Sequence, residues 1–102
     1  MGRKNLSRLL VMKPYENILF EDNFFVRLFN ENIDPTELKW HRDEKDRVIE
    51  SIEESDWLIQ IENQLPEKID KICIKKEVWH RLIKGTGELK VKIYEIQELQ
   101  TV

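Results

Sequence analysis

The sequence predicts an all-β domain, a small antiparallel sandwich or barrel, and three observations support this prediction. The chain contains no alanine, the strongest helix former, whereas the strand-favouring residues isoleucine and valine occur twelve and six times. Short apolar runs recur along the chain, and turn-forming residues separate them at spacings of about 8 to 12 residues. Several runs alternate between apolar and polar residues, which is typical of strands with one buried face.

Length, charge and cysteine content exclude several classes of protein. A chain of 102 residues is long enough for one small domain. Its net charge of −3 disfavours a general nucleic-acid-binding protein, and its single cysteine excludes an internal disulfide framework. No apolar run approaches the roughly 20 residues of a membrane helix, and no secretory hydrophobic segment follows the N-terminus. We therefore expect a cytoplasmic protein without nucleic-acid or membrane partners.

The elements follow from these patterns in chain order. Residues 1–15 form a basic N-terminal arm, residues 16–98 form the barrel, and residues 99–102 form a C-terminal tail. The predicted strands cover residues 17–20, 24–29, 38–42, 47–53, 57–61, 72–76, 78–84 and 89–96. Turn-forming residues separate them, and the Gly-Thr-Gly segment at 85–87 predicts a hairpin turn.

The alternation within the strands assigns side chains to faces of the sheets. Two predicted inner rows are clear: Trp57, Ile59 and Ile61, and Leu89, Val91 and Ile93. His80 shares its face with the aliphatic residues Val78 and Leu82. We therefore expect the imidazole of His80 to point into the core or the lumen of the barrel.

The only two histidines belong to a repeated tripeptide, Trp-His-Arg, at residues 40–42 and 79–81. On a strand, His41 and Asp43 lie on one face and could offer two ligands to one metal ion. His80 could supply a third, which gives the two-histidine, one-carboxylate composition of non-haem iron sites. The alternative is that both histidines are hydrogen-bonded residues of the barrel wall.

The pattern from residue 38 to residue 94 resembles a small single-domain cupin, an antiparallel β-barrel of the RmlC-like jelly-roll type. His41 and Asp43 fall on the two histidine positions of the first cupin motif, G-x5-H-x-H-x3-4-E-x6-G. His80 falls on the histidine of the second motif, G-x5-P-x-G-x2-H-x3-N. The resemblance implies a barrel that binds a small molecule or a divalent metal ion (Fe, Mn, Ni or Zn). It extends to short cupin-like proteins encoded by marine bacteriophages.

Several positions depart from the two cupin motifs. Pro35 and Glu54 stand at the glycine positions of the first motif, and Arg47 or Val48 stands at its glutamate. In the second motif, the glycine, proline, glycine and asparagine positions hold Ile69, Lys75, Glu77 and Lys84. The resemblance therefore implies the cupin barrel with an altered ligand set.

The orientation of Arg47 determines which kind of ligand the altered site could hold. A guanidinium at the glutamate position would repel a divalent cation, pair with Asp43, or bind an anionic ligand. Alternatively, Arg47 faces solvent and Asp46 turns inward, which gives a four-ligand site of His41, Asp43, Asp46 and His80. Trp40 and Trp79 are further candidates for ligand binding, although aromatic residues on strands are also common as core or interface anchors.

Three functions are compatible with these residues. The first is a non-catalytic cupin-like barrel that binds a small molecule or a metal ion. The second is a structural or assembly protein, for example a bacteriophage virion component, that uses the barrel as an interaction module. The third is a metal-dependent enzyme such as a small dioxygenase or isomerase, and the missing glutamate argues against it. Exposed strand edges and the phenylalanines of residues 24–29 predict a homo-oligomer.

Overall fold

The computed structural model describes residues 15–96, and nearly all of the regular structure in that range is antiparallel β-strand. The strands are β1 (Glu16–Phe20), β2 (Phe25–Phe29), β3 (Asp46–Ser51), β4 (Leu58–Ile61), β5 (Glu67–Lys68), β6 (Lys71–Ile74), β7 (His80–Ile83) and β8 (Leu89–Ile96). The predicted basic arm, apart from Tyr15, and the predicted tail lie outside the described residues. Between residues 15 and 96, no helix is long and apolar enough to cross a membrane.

The strands form two sheets that enclose one core. Five strands pair in the order β1-β2-β8-β3-β6, and three pair in the order β5-β4-β7. Every pairing is antiparallel. The chain passes from one sheet to the other four times, after β3, β5, β6 and β7, as expected for a jelly roll. This architecture confirms the predicted small antiparallel jelly-roll barrel.

The core lies between the two sheets and is built from the predicted inner rows. On β8, Leu89, Val91 and Ile93 are buried, whereas the intervening side chains are only partly covered. From the opposite sheet, Trp57 and Ile59 are completely buried against them. Burial of alternate residues stabilises both sheets at once, because each inner side chain is removed from water by the facing sheet.

The prediction of a strand over residues 38–42 was wrong. A short 3-10 helix occupies Pro35–Glu37, and Asp34 caps it by accepting hydrogen bonds from the Thr36 backbone N–H at 3.0 Å and hydroxyl at 2.9 Å. Proline at the first position and the aspartate cap favour a helical turn over an extended chain. Only His41 then pairs with a strand, as an isolated bridge to His80.

The prediction of a hairpin at residues 85–87 was also wrong, because β7 and β8 belong to different sheets. The connecting loop is fixed by Asp56, whose carboxylate accepts hydrogen bonds from the Thr86 backbone N–H at 2.8 Å and hydroxyl at 2.9 Å. Gly85 packs so closely that a Cβ atom there would overlap Asp56 and lie 2.7 Å from the Trp57 nitrogen. The glycine is therefore required for this close approach of the two chain segments.

Candidate metal centre

The two Trp-His-Arg tripeptides pair with each other at one end of the barrel. The His41 backbone N–H donates to the His80 carbonyl, and the His80 N–H donates to the His41 carbonyl, both at 2.9 Å. This antiparallel bridge joins the segment before β3 to the start of β7. Because side chains alternate along extended chains, the pairing places both histidines on one side and their neighbours on the other.

On the outer side, each tryptophan packs against the arginine of the other tripeptide. The guanidinium carbon of Arg81 lies 4.8 Å from the centroid of the Trp40 ring, and that of Arg42 lies 5.1 Å from the Trp79 ring. These are cation–π distances. The repeat is thus explained by reciprocal pairing, and the two tryptophans clamp the bridge that holds the histidines together.

On the inner side, the two imidazoles meet, and backbone carbonyls orient both of them. Their ring centroids are 4.2 Å apart; His80 is buried, whereas His41 is exposed. His80 Nδ1 lies 2.8 Å from the Val78 carbonyl, and His41 Nδ1 lies 3.2 Å from the Lys39 carbonyl. Since a carbonyl only accepts, each Nδ1 carries a proton, so that a ring in its neutral form has its lone pair on Nε2. Partial burial also lowers the pKa of His41, which favours its neutral, metal-binding form.

Asp43 places a carboxylate beside these lone pairs. Its Oδ2 lies 3.2 Å from His80 Nε2 and is buried, and while His80 is neutral it has no hydrogen-bond donor within residues 15–96. Burial alone would raise the pKa of Asp43, but a hydrogen bond from a protonated His80 Nε2 and the charge of Arg47 outweigh it and lower that pKa. The contact is therefore satisfied either by a proton on His80 Nε2 or by a cation held between the ionised oxygen and the imidazole lone pair.

One potential ligand atom from each of His41, Asp43 and His80 lies within 4.8 Å of the other two. Imidazole nitrogens with one carboxylate oxygen suit Fe, Mn, Ni or Zn. The Nδ1–H bonds to backbone carbonyls are the outer contacts that normally orient metal-binding histidines. The donor set, the ring orientation and the unpaired Asp43 oxygen all fit a divalent metal ion.

Arg47, rather than Asp46, faces the barrel interior. One of its terminal nitrogens lies 3.4 Å from Asp43 Oδ1, and the other donates to Glu95 Oε2 at 2.6 Å. Arg47 and these two carboxylates together carry one net negative charge, so Glu95 offsets much of the repulsion that the guanidinium would exert on a cation. Arg47 and Glu95 are matched across the β3–β8 pairing. Nothing in the sequence around Glu95 indicated this partner.

Asp46 lies apart from the histidine cluster. Its carboxylate accepts a hydrogen bond from the Lys76 backbone N–H at 2.8 Å and lies 3.6 Å from Lys75 Nζ. It therefore fixes the turn after β6. Of the four candidate metal ligands, the structure brings together His41, Asp43 and His80 and leaves Asp46 at the turn.

The similarity to solved structures identifies the architecture around this centre. A cupin-2 domain protein from Shewanella frigidimarina matches 95% of this chain and 94% of its own, with a TM-score of 0.55 and 19% identity. An RmlC-like cupin with a double-stranded β-helix fold from Methanocaldococcus jannaschii matches 82% of this chain and 79% of its own, with a TM-score of 0.58 and 11% identity. The fold is that of the cupins. No protein-family model and no curated protein matches the sequence.

The cupin structures of similar fold include enzymes as well as domains described only by their fold. The enzyme HppE, solved with Fe(II) and an alternative substrate, matches 72% of this chain and 41% of its own, with a TM-score of 0.54 and 15% identity. These identities establish the cupin fold alone. The positions that the sequence resemblance matched to cupin histidines, at 41, 43 and 80, lie together inside this barrel.

The cupin barrel holds a cavity of about 320 Å³ next to the histidine cluster. His41, Asp43 and His80 line one part of it, and aliphatic and aromatic side chains form much of the rest (Phe29, Leu38, Ile49, Ile59, Leu82, Val91 and Ile93). Arg47 lines this cavity. Trp40 and Trp79 do not: they flank an open groove on the outer surface with Gln60 and Leu65.

Sequence reasoning missed a second arginine that lines the cavity, Arg27 on β2. The signal was present in the alternation, because Phe25, Arg27 and Phe29 occupy one face of that strand. The phenylalanines make this strand look like a purely apolar surface. A charged residue between two aromatic residues on an inner face is the signal that identifies Arg27 as a cavity residue.

Proposed function

We propose that this protein is a cupin-like barrel that binds a divalent metal ion through His41, Asp43 and His80. The observation that carries the proposal is the cluster itself: one potential ligand atom from each of His41, Asp43 and His80 lies within 4.8 Å of the other two, and the Asp43 oxygen beside His80 Nε2 is buried. The Fe(II) of HppE, a protein of similar fold, supports a transition metal over Ca²⁺ or Mg²⁺. A metal bound there would supply Lewis acidity at the end of an otherwise largely apolar cavity.

Metal analysis of untagged protein purified without chelator tests this proposal. We expect stoichiometric Fe, Mn, Ni or Zn, and we expect that the His41→Ala/His80→Ala double variant loses it. Dialysis against EDTA should lower the unfolding midpoint, and added Zn²⁺ at 100 times its dissociation constant should restore about 2.7 kcal/mol.

The matched control is Asp46→Asn, which removes a nearby carboxylate that lies outside the cluster. It should retain the wild-type metal content. Retention in Asp46→Asn together with loss in the double variant would show that the metal depends on the two histidines and not on Asp46. Wild-type protein that binds no added Zn²⁺, or a double variant that binds it equally well, would contradict the proposal.

A second candidate function, an interaction module in an assembly, is supported by the edge strand β1. All five residues of β1 are exposed, and Ile18, Leu19 and Phe20 are 44%, 46% and 68% exposed. An edge strand with exposed apolar side chains offers unpaired backbone groups to another chain. This favours the predicted homo-oligomer, with β1 of a second copy as the partner strand.

Light scattering on the full chain tests this second candidate. We expect a dimer or larger species, and we expect Leu19→Lys/Phe20→Lys to shift it to monomer because charges on an edge oppose pairing. Leu65→Lys is the control, since Leu65 is 85% exposed but lies on a loop away from β1. A monomeric wild type, or the same shift in the control, would refute pairing through β1.

A further inference from the structure

Arg27 occupies an unusual position on the inner side of the barrel. On β2 it lies between Phe25 and Phe29 on one face, and it is matched to the buried Val91 of β8. Its side chain lines the same cavity as His41, Asp43 and His80. A cation in such a row is removed from much of its water and needs a compensating contact.

The contacts of Arg27 do not include a carboxylate. Its Nε donates to Asn17 Oδ1 at 2.8 Å, and its guanidinium carbon lies 3.6 Å from the centroid of the Tyr15 ring. Among residues 15–96, no Asp or Glu oxygen lies within 4.0 Å of it, whereas Arg42 and Arg47 both have such partners. Burial is the largest influence on the pKa of Arg27 and lowers it, outweighing the carboxylates of Asp43 and Glu95, which act in the opposite direction from beyond 4.0 Å.

The other residues that line the cavity determine which chemical class of anion could bind beside Arg27. Beyond Arg27 and the histidine cluster, the cavity is lined by three further charged residues, Glu37, Lys39 and Arg47, and by aliphatic walls that include Ile49, Leu82, Val91 and Ile93. The volume of about 320 Å³ admits a small organic molecule rather than a polymer. A guanidinium with free donors recognises a carboxylate through two parallel hydrogen bonds, and the walls favour a hydrocarbon body.

We propose that the cavity binds a small monocarboxylic acid, with its carboxylate on Arg27 and its apolar body along the aliphatic walls. This inference deepens the proposed function, because the acid would share the cavity with the metal ion. The contact between the carboxylate and Arg27 does not require the metal ion. The Tyr15 ring lies against the guanidinium of Arg27 and would restrict its orientation before the acid binds. Arg27 would then lose less side-chain entropy on binding.

Calorimetric titration of EDTA-treated full-length protein tests the proposal without the metal. The probes are hexanoate, its uncharged counterpart hexanamide, and inorganic phosphate. We expect hexanoate to bind at least about tenfold more tightly than either, because only hexanoate offers both the charge and the apolar body. Equal binding of hexanamide would overturn the role of the charge, and equal binding of phosphate would overturn the role of the apolar walls.

Variants of Arg27 locate the contact. Arg27→Gln should weaken hexanoate binding about 10-fold to 100-fold and leave hexanamide binding unchanged. Arg27→Lys keeps the positive charge but cannot make two parallel hydrogen bonds to a carboxylate. It should therefore weaken hexanoate binding by an intermediate factor. Arg42→Gln is the control, because Arg42 lies on the outer surface beside Trp79 and Glu77. If Arg27→Gln does not fold, Arg27→Lys and the hexanoate–hexanamide comparison on the wild type still decide the matter.

The same titration on Zn²⁺-loaded protein separates this inference from the metal proposal. Hexanoate that binds only the Zn²⁺-loaded form, with no effect of Arg27→Gln, would place the carboxylate on the metal and overturn the role of Arg27. Hexanoate that binds the EDTA-treated form through Arg27, in a protein that takes up no Zn²⁺, would support this inference while the metal proposal fails.

Discussion

Replacement of Trp57 with alanine is expected to lower the free energy of unfolding by about 3–5 kcal/mol. The Trp57 side chain is completely buried between the two sheets, and its ring centroid lies 6.0 Å from that of Phe29. Its Nε1–H donates to the Gly87 carbonyl at 3.1 Å, which links the residue just before β4 to the loop before β8. The substitution therefore leaves a cavity in the core and an unpaired carbonyl. Chemical denaturation followed by circular dichroism measures the effect.

Trp79→Ala is the matched control for this loss. Trp79 is 40% exposed, and its ring lies beside the Arg42 guanidinium on the outer surface. We expect a cost of about 1 kcal/mol or less. Equal losses for the two variants would mean that Trp57 does not anchor the core more strongly than a surface tryptophan.

Replacement of Arg47 with glutamine is expected to strengthen divalent metal binding at least about tenfold. The reason is electrostatic: the guanidinium lies 3.4 Å from Asp43 Oδ1 and repels a cation held at the same carboxylate. The metal-free protein should become less stable by about 1–2 kcal/mol, because Asp43 and Glu95 lose a partly buried partner. Zn²⁺ titration and denaturation of the EDTA-treated protein measure the two effects, which have opposite signs.

Arg42→Gln controls for loss of a positive charge near the tripeptide. Arg42 is half-exposed and pairs with Glu77 at 3.4 Å on the outer side, so its removal should leave metal affinity within about twofold. Weaker metal binding in Arg47→Gln would contradict the prediction and would assign to Arg47 the role of holding Asp43 in place.

The alternation of side chains was sufficient to predict most strands and their inner faces. Leu89, Val91 and Ile93, and Trp57 and Ile59, are buried as their spacing indicated. His80 is buried on the side that its aliphatic neighbours predicted. These predictions succeed because a strand has a period of two residues, and burial of one face is recorded directly in the local sequence.

Local patterns failed where a capping contact or a distant segment decides the conformation. The segment before His41 contains the apolar Leu38 and Trp40, but Asp34 and Pro35 begin a helical turn just ahead of it. The segment 85–87 has the composition of a hairpin turn, yet Asp56, about thirty residues away, fixes it as a passage between sheets. Neither outcome is encoded within a window of ten residues.

The sequence by itself determined the β architecture, the inner rows and the two histidines as the chemically distinctive residues. Only the tertiary structure decided that Arg47 faces inward while Asp46 fixes a turn, that Trp40 and Trp79 lie outside, and that Arg27 lines the cavity. The physical reason is that burial alternates with a period of two residues, which the sequence of a single strand is enough to show. The partners of a charge depend instead on register between strands far apart in the chain, such as Arg47 with Glu95 and Arg27 with Val91.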